Sequence, residues 1–222
     1  MGRRYPGGVS KNAITSIAAV VGAFVLIIVV ALVVVRPWER EPEPTASAAS
    51  LIEESTHVLD DAGEGAVEVV EFFDYECPAC GAFHPIVEDL REQYAGQVTF
   101  AVRYFPLEMH PNAVPAAAAA EAAAQQGQFE AMHNRIFETQ EQWSGTDAAA
   151  TFRGFAEELG LDMAAYDAAV SAEETADRIA LDYRAGVEAG VASTPTFYID
   201  GVQLELQNFD DLEAAIEAAL AE

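Results

Sequence analysis

Cys77 and Cys80 are the only two cysteines of the chain, and they stand at a fixed point between two patterned segments. Before them runs Ala66-Val67-Glu68-Val69-Val70-Glu71-Phe72-Phe73, rich in the β-branched and aromatic residues that suit a strand. After them, Phe83, Ile86, Val87, Leu90 and Tyr94 recur at helical spacing. The pattern reads strand, tight turn, helix, with Cys77 at the helix N-terminus. There, unpaired backbone N–H groups and the helix dipole stabilise a thiolate and lower the thiol pKa. Pro78, which has no N–H to leave unpaired, suits the first helical position. Cys77 is the expected nucleophile. Cys80, one turn on and facing inward, is placed to resolve a mixed disulfide by attacking Cys77.

Other uses of a Cys-Pro-Ala-Cys segment compete with this one. Structural zinc takes four ligands, whereas the chain adds only the scattered histidines His57, His84, His110 and His133. Covalent haem attachment needs a histidine directly after the second cysteine, where Gly81 stands. A purely structural disulfide would close so short a loop that it adds little stability. Metal and structural disulfide stay open at this point.

A second motif lies far downstream, at Gly190-Val191-Ala192-Ser193-Thr194-Pro195-Thr196-Phe197-Tyr198-Ile199-Asp200-Gly201. Pro195 opens a β-rich run, where a missing N–H needs a turn or a strand start, and X-Pro bonds alone become cis at modest cost. An ordinary trans proline at a strand start is the alternative. Taken with Val70 to Cys80 and Phe83-His84, this segment resembles the DsbA-like thiol-disulfide oxidoreductases over roughly residues 55 to 222. The resemblance implies a thioredoxin-like α/β fold with a helical insertion, and a cis Pro195 whose neighbour Thr194 packs beside the dithiol. It further implies that the Thr194 backbone is offered to an extended substrate peptide by strand addition. Strong oxidases of that family carry a histidine between the cysteines. Ala79 offers no such hydrogen bond, so a less oxidising potential is expected.

The N-terminal part is different in kind. From Ala13 to Val35 no residue is charged, and the run is long enough to cross a hydrocarbon core as a helix. Arg3, Arg4 and Lys11 precede it, and Arg36 and Arg40 follow it, which favours a cytoplasmic N-terminus for residues 1–12. A cleavable signal is the competitor, but its apolar region is usually shorter, and Ala46-Ser47-Ala48 lies far downstream. An uncleaved anchor over 13–35 is therefore expected. Residues 36–55, with Pro37, Pro42, Pro44 and a Thr-Ala-Ser-Ala-Ala-Ser run, read as a semi-extended tether to a catalytic domain over 56–222. The domain would then lie outside the cytoplasm, where disulfides persist.

Charge excludes one class of partner. Acidic residues number 37 against 11 basic ones, for a net charge of −26. Beyond residue 40 the cations are Arg91, Arg103, Arg135, Arg153, Arg178 and Arg184, so nucleic acid would be repelled. The acidity fits a salty exterior or a compositional bias equally well.

A coarse pass places a short strand at His57-Val58-Leu59 and another at Val98 to Tyr104, ended by Pro106. The second would lie parallel to the strand before the cysteines. An Ala-rich helical insertion follows over about residues 112–189. Strands at Thr196 to Ile199 and Val202 to Leu206 flank an Asp200-Gly201 turn. A final helix carries Leu212, Ile216 and Leu220, with Asp210 and Glu213 as a capping box. Asp74 and Glu76 are candidate proton relays to Cys80, though solvated carboxylates are the simpler reading. His84 reads as a packing residue, Met109 and Met132 as core fillers, and Trp143 as part of the insertion's core.

The sum is a membrane-tethered thiol-disulfide oxidoreductase that donates the Cys77–Cys80 disulfide to secreted or surface proteins. It needs no organic cofactor. By the resemblance, a quinone-linked membrane oxidase would reoxidise it, and a monomer is expected because no dimerisation stalk is evident. The rivals are a reductase or isomerase with the same cysteines and a non-catalytic peptide-binding module.

Overall fold

The computed structural model describes residues 50–221. The expected span over 13–35 and most of the tether lie outside the described residues.

Five strands form one mixed sheet: β1 (His57–Asp60), β2 (Val67–Phe73), β3 (Val98–Tyr104), β4 (Thr196–Ile199) and β5 (Val202–Gln203), in the order β1-β3-β2-β4-β5. β2 and β3 are parallel, with Phe73 opposite Tyr104, and β4 runs antiparallel to β2, with Thr196 opposite Phe72. The parallel pair needs a crossover, and α1 (Pro78–Gln93) supplies it. The first strand–helix–strand unit therefore forms as the sequence pattern requires. β5 stops at Gln203, short of the expected Leu206.

Alternation along the strands sorts their side chains between two faces. Val67, Val69, Val98, Phe100 and Phe197 pack against Phe83, Val87 and Leu90 of α1 and Leu212 and Ile216 of α8 (Asp210–Leu220). Val70, Phe72, Ala101 and Tyr198 lie on the other face with Phe105 and Val191, and Leu51 and Ile52 pack there too. Arg103 Nη1 donates to Leu51 O at 2.8 Å, and Arg178 reaches Ser55 O. Residues 50–55, read from sequence as the end of the tether, are thus held in the fold.

The insertion comprises α2 (Ala113–Ala124), α3 (Phe129–Glu138), α4 (Gln140–Trp143), α5 (Ala149–Glu158), α6 (Met163–Val170) and α7 (Glu173–Ala189). α2 is buried on nearly every side, and its alanines let α3, α5, α6 and α7 approach closely. Its one charge, Glu121, pairs with His57 Nε2 at 2.8 Å. Trp143 is buried and donates Nε1–H to Ile136 O at 2.9 Å. Met132 is fully buried, but Met109 is 78% exposed and fills no core. The start of α8 also differs from expectation. Phe209 is its N-cap residue and has no side-chain cap, so the expected capping box of Asp210 and Glu213 does not form; instead Asn208 Oδ1 accepts from Asp210 N, and the Asp211 carboxylate accepts from Gln207 N and Asn208 N.

Candidate active site

Cys77 is the N-cap residue of α1 and Pro78 its first helical residue. Cys77 O accepts from Gly81 N at 3.1 Å, which closes the first turn. The turn itself is set by Cys77 N donating to Asp74 O at 3.1 Å. Cys80 is fully buried, while Pro78 and Ala79 are exposed. Pairing of Thr196 with Phe72 carries the preceding residues of β4 to the same end of the sheet. The Thr194–Pro195 peptide bond is cis, and the Cys77 thiol donates to Thr194 O at 3.3 Å. The two distant motifs of the sequence thus meet at one sulfur.

The two thiols have opposite surroundings. A hydrogen bond from the Cys80 thiol draws the Cys77 pKa down to about 5, against the effect of burial. Thr194 and the backbone N–H groups of Cys80 and Ala79 add to it. The Thr194 hydroxyl has no other partner among the described residues and is the donor left for a thiolate. Burial pushes the Cys80 thiol well above its ordinary range, and the hydrogen bond it gives to Cys77 and the charge of Glu71 push the same way. Cys77 is therefore a thiolate at neutral pH and Cys80 a thiol.

Glu71 is a site residue that the sequence reading missed. It belongs to the β2 row that faces α1, is 6% exposed, and lies opposite Val102 and Phe197 in the sheet. Burial, then the charge of Cys77, raise its pKa to about 8. The carboxyl is therefore protonated near neutrality, and its charge is coupled to both sulfurs. The signal was one of two acids in a strand run, Glu68 and Glu71, either of which reads equally well as a residue facing water.

Asp74 and Glu76, the candidate relays, each accept several hydrogen bonds. Asp74 Oδ1 accepts from Glu76 N at 2.8 Å, and Oδ2 accepts from Leu107 N at 2.8 Å and His110 Nδ1 at 2.7 Å. Glu76 accepts from Asn112 N at 2.5 Å, Asn112 Nδ2 at 2.8 Å and Gly145 N at 2.8 Å. Burial alone would raise the Glu76 pKa, but these donors hold it below the usual carboxylate value. Both side chains bind loops to the active-site turn. His84 stacks on Phe137 at 4.8 Å, and burial lowers its pKa to about 4, so it is a neutral packing residue. Among the described residues no cluster of His, Cys, Asp and Glu could hold a metal.

Met109, with Leu107, Glu108, Ala192 and Ser193, lines a hollow next to the cis-proline segment. The exposed apolar side chain of Met109 thus lies beside the Thr194–Pro195 segment instead of in the core.

The family model described as thioredoxin matches residues 62–218. The chain belongs to the thioredoxin family. Among solved structures, a thioredoxin-like oxidoreductase from Silicibacter pomeroyi DSS-3 is 29% identical with a TM-score of 0.65, and the match covers 77% of this chain and 95% of that one. BdbD from Bacillus subtilis in its oxidised form shares the fold at 22% identity, with a TM-score of 0.67 over 76% of this chain and 94% of that one. Structural neighbours of this thioredoxin-family chain are DsbA-type thiol-disulfide oxidoreductases. A protein named Na(+)/H(+) antiporter NhaA 3 from Salinispora tropica is 38% identical over 160 residues, 71% of this chain and 24% of that protein. The chain spans about a quarter of the length of the curated relatives it matches, and the antiporter name is theirs. Among the described residues no helix is long and apolar enough to cross a membrane.

Proposed function

We propose that this thiol-disulfide oxidoreductase donates the Cys77–Cys80 disulfide to cysteine-containing secreted or surface proteins from the outer side of a membrane. One observation carries the reading: the low-pKa Cys77 sulfur sits between the α1 N-terminus and Thr194 O, with the buried Cys80 thiol beside it. A substrate thiolate attacks the Cys77 sulfur, the Cys77–Cys80 bond breaks, and Cys80 leaves and takes a proton, for which Glu71 is the donor. A second substrate thiolate then attacks the substrate sulfur of the mixed disulfide, and Cys77 leaves as its stable thiolate. Two electrons pass to the dithiol and the substrate gains a disulfide. Thr194 and Pro195 would present the backbone edge to the substrate, with Pro78 and Ala79 forming the exposed rim.

The membrane placement rests on the uncharged run over 13–35 and the tether behind it. A quinone-linked membrane partner for reoxidation is part of the same proposal by resemblance. The test equilibrates the full chain in detergent with glutathione buffers and compares it with Cys77→Ser. A potential near about −120 to −180 mV supports donation or isomerisation, and one near about −270 mV makes the protein a reductase. A wild-type chain that exchanges no faster than Cys77→Ser is a peptide-binding module only.

A further inference from the structure

Gln140 opens α4 in the helical insertion, yet its side chain serves the active-site turn. It is buried, and Nε2 donates to Tyr75 O at 2.7 Å and to Cys77 O at 2.9 Å. Cys77 O is also the acceptor that closes the first turn of α1. One amide therefore grips carbonyl groups on both sides of Glu76, including that of the residue capping the helix. Space is kept for it at position 81. A Cβ there would stand 2.3 Å from Gln140 Oε1, so the glycine after the second cysteine is the gap into which the amide fits.

We propose that Gln140 is a positioning residue for the dithiol, fixing the Tyr75–Cys77 turn from the insertion so that the first N–H groups of α1 stay aimed at the Cys77 sulfur. Thr194 holds the sulfur from the cis-proline segment, and Gln140 holds the backbone from the insertion. Without the amide, the turn keeps only the Gly81 hydrogen bond at Cys77 O and loses the cross-link to Tyr75. The N–H groups of Ala79 and Cys80 then spread over more orientations, and a thiolate that depends on them is less stabilised. A less stable thiolate makes the reduced form less favourable and the disulfide a weaker oxidant. The proposal takes from the oxidoreductase reading only that Cys77 is the reactive thiol.

The test is Gln140→Leu in the full chain in detergent, followed by thiolate ultraviolet absorbance across pH, with Cys77→Ser as the blank. The Cys77 midpoint, about 5 in the wild type, is expected to rise by about one unit. At neutral pH the glutathione equilibrium then shifts by up to about tenfold toward the disulfide, or about 30 mV more reducing. Gly81→Ala displaces the same amide from the other side and is expected to move both readouts in the same direction. Adding Gly81→Ala to Gln140→Ala, which has no atoms beyond Cβ to meet the new methyl, should change nothing further. If Gln140→Leu does not fold, Gly81→Ala carries the test. Variants that lower stability toward urea but leave midpoint and equilibrium unchanged would overturn the proposal and leave Gln140 as packing alone. The titration needs no exchange partner. A wild type that fails to react with glutathione therefore counts against the function proposed above and leaves this test standing.

Discussion

Glu71 lies in the sheet face under the helix that carries the dithiol, whereas Glu76 lies in the turn beside it, and the fold shifts these two carboxyls in opposite directions. Glu71 projects from a central strand into the packed face under α1, with its pKa raised to about 8. Asp74 and Glu76 sit in the turn, nearer to Cys77 along the chain, and each is surrounded by donors from other loops. Burial without donors favours the neutral acid, and burial among N–H groups favours the carboxylate. The comparison teaches that a carboxyl's distance from a cysteine in sequence says little about its chemistry. What decides is whether the backbone around it offers hydrogen bonds or a sheet face.

The largest effect expected on this contrast is on stability. Glu76→Ala leaves Asn112 N, Asn112 Nδ2 and Gly145 N without their charged acceptor, and such bonds are worth about 1.5–3 kcal/mol each, though they do not add fully. A loss of about 3 kcal/mol or more in urea unfolding is expected, with a smaller change in the Cys77 titration. The pH dependence has a definite sign. The folded Glu76 pKa is depressed, so its contribution is present above the unfolded carboxylate value of 4.5 and is lost as pH falls through the lower folded value. The gap between wild type and Glu76→Ala should therefore close in acid. A gap that persists unchanged at low pH would put the loss down to packing rather than to the carboxylate.

Glu71→Gln is expected to act on rate and to raise stability. Removing a proton donor and acceptor of this kind slows the step it serves by about 10²-fold or more, so release of Cys80 at neutral pH should slow by at least about tenfold. Stability moves the other way. The folded pKa of Glu71 is raised, so its contribution is fully present below the unfolded value and is lost as pH rises toward about 8. The glutamine does not titrate, and its advantage in urea unfolding should grow between about pH 4.5 and about pH 8. If Glu71→Gln exchanged as fast as wild type, the carboxyl would be a buried remnant and the contrast with Asp74 and Glu76 would lose its functional half.

The legibility of the chain follows the same division. Cys77, Cys80, Pro78 and Pro195 were readable because each does something that only its residue type can do, with strand and helix periods on either side placing them, whereas Thr194 came with Pro195 through the family resemblance. The strand–helix–strand unit and the insertion were readable for the same reason. Glu71 was not, since a strand run cannot say which neighbours will cover each face until β3, β4 and α1 are in place. Gln140 was not, because a polar residue in a helical stretch usually meets water, and its partners are backbone carbonyls far away in sequence. Met109 was misread because an apolar residue in a loop can face the core or a docking partner, and composition does not distinguish them. The cap of α8 was misread because Asp210 is already the first helical residue, and the bonds around the helix start are made by Asn208 and Asp211 instead.

The smallest effect separates the inner carboxyls from the rest of the acidic surface. A net charge of −26 sets up a long-range field at the domain, and salt screens fields between exposed groups while leaving buried hydrogen-bonded ones nearly untouched. Glutathione is anionic, so its disulfide should react with reduced Cys77 faster as salt rises from about 10 mM to about 0.5 M, where the Debye length falls from about 30 Å toward about 4 Å. A gain of a fewfold is expected, whereas an uncharged disulfide reagent should show almost none. The Cys77 midpoint should stay near about 5 throughout, because it is set by the Cys80 thiol, Thr194 and the helix N–H groups rather than by surface charge. A midpoint that falls with salt in step with the rate would mean that the surface acids reach the sulfur. The separation drawn between the buried Glu71 and the carboxylates around it would then have to be given up.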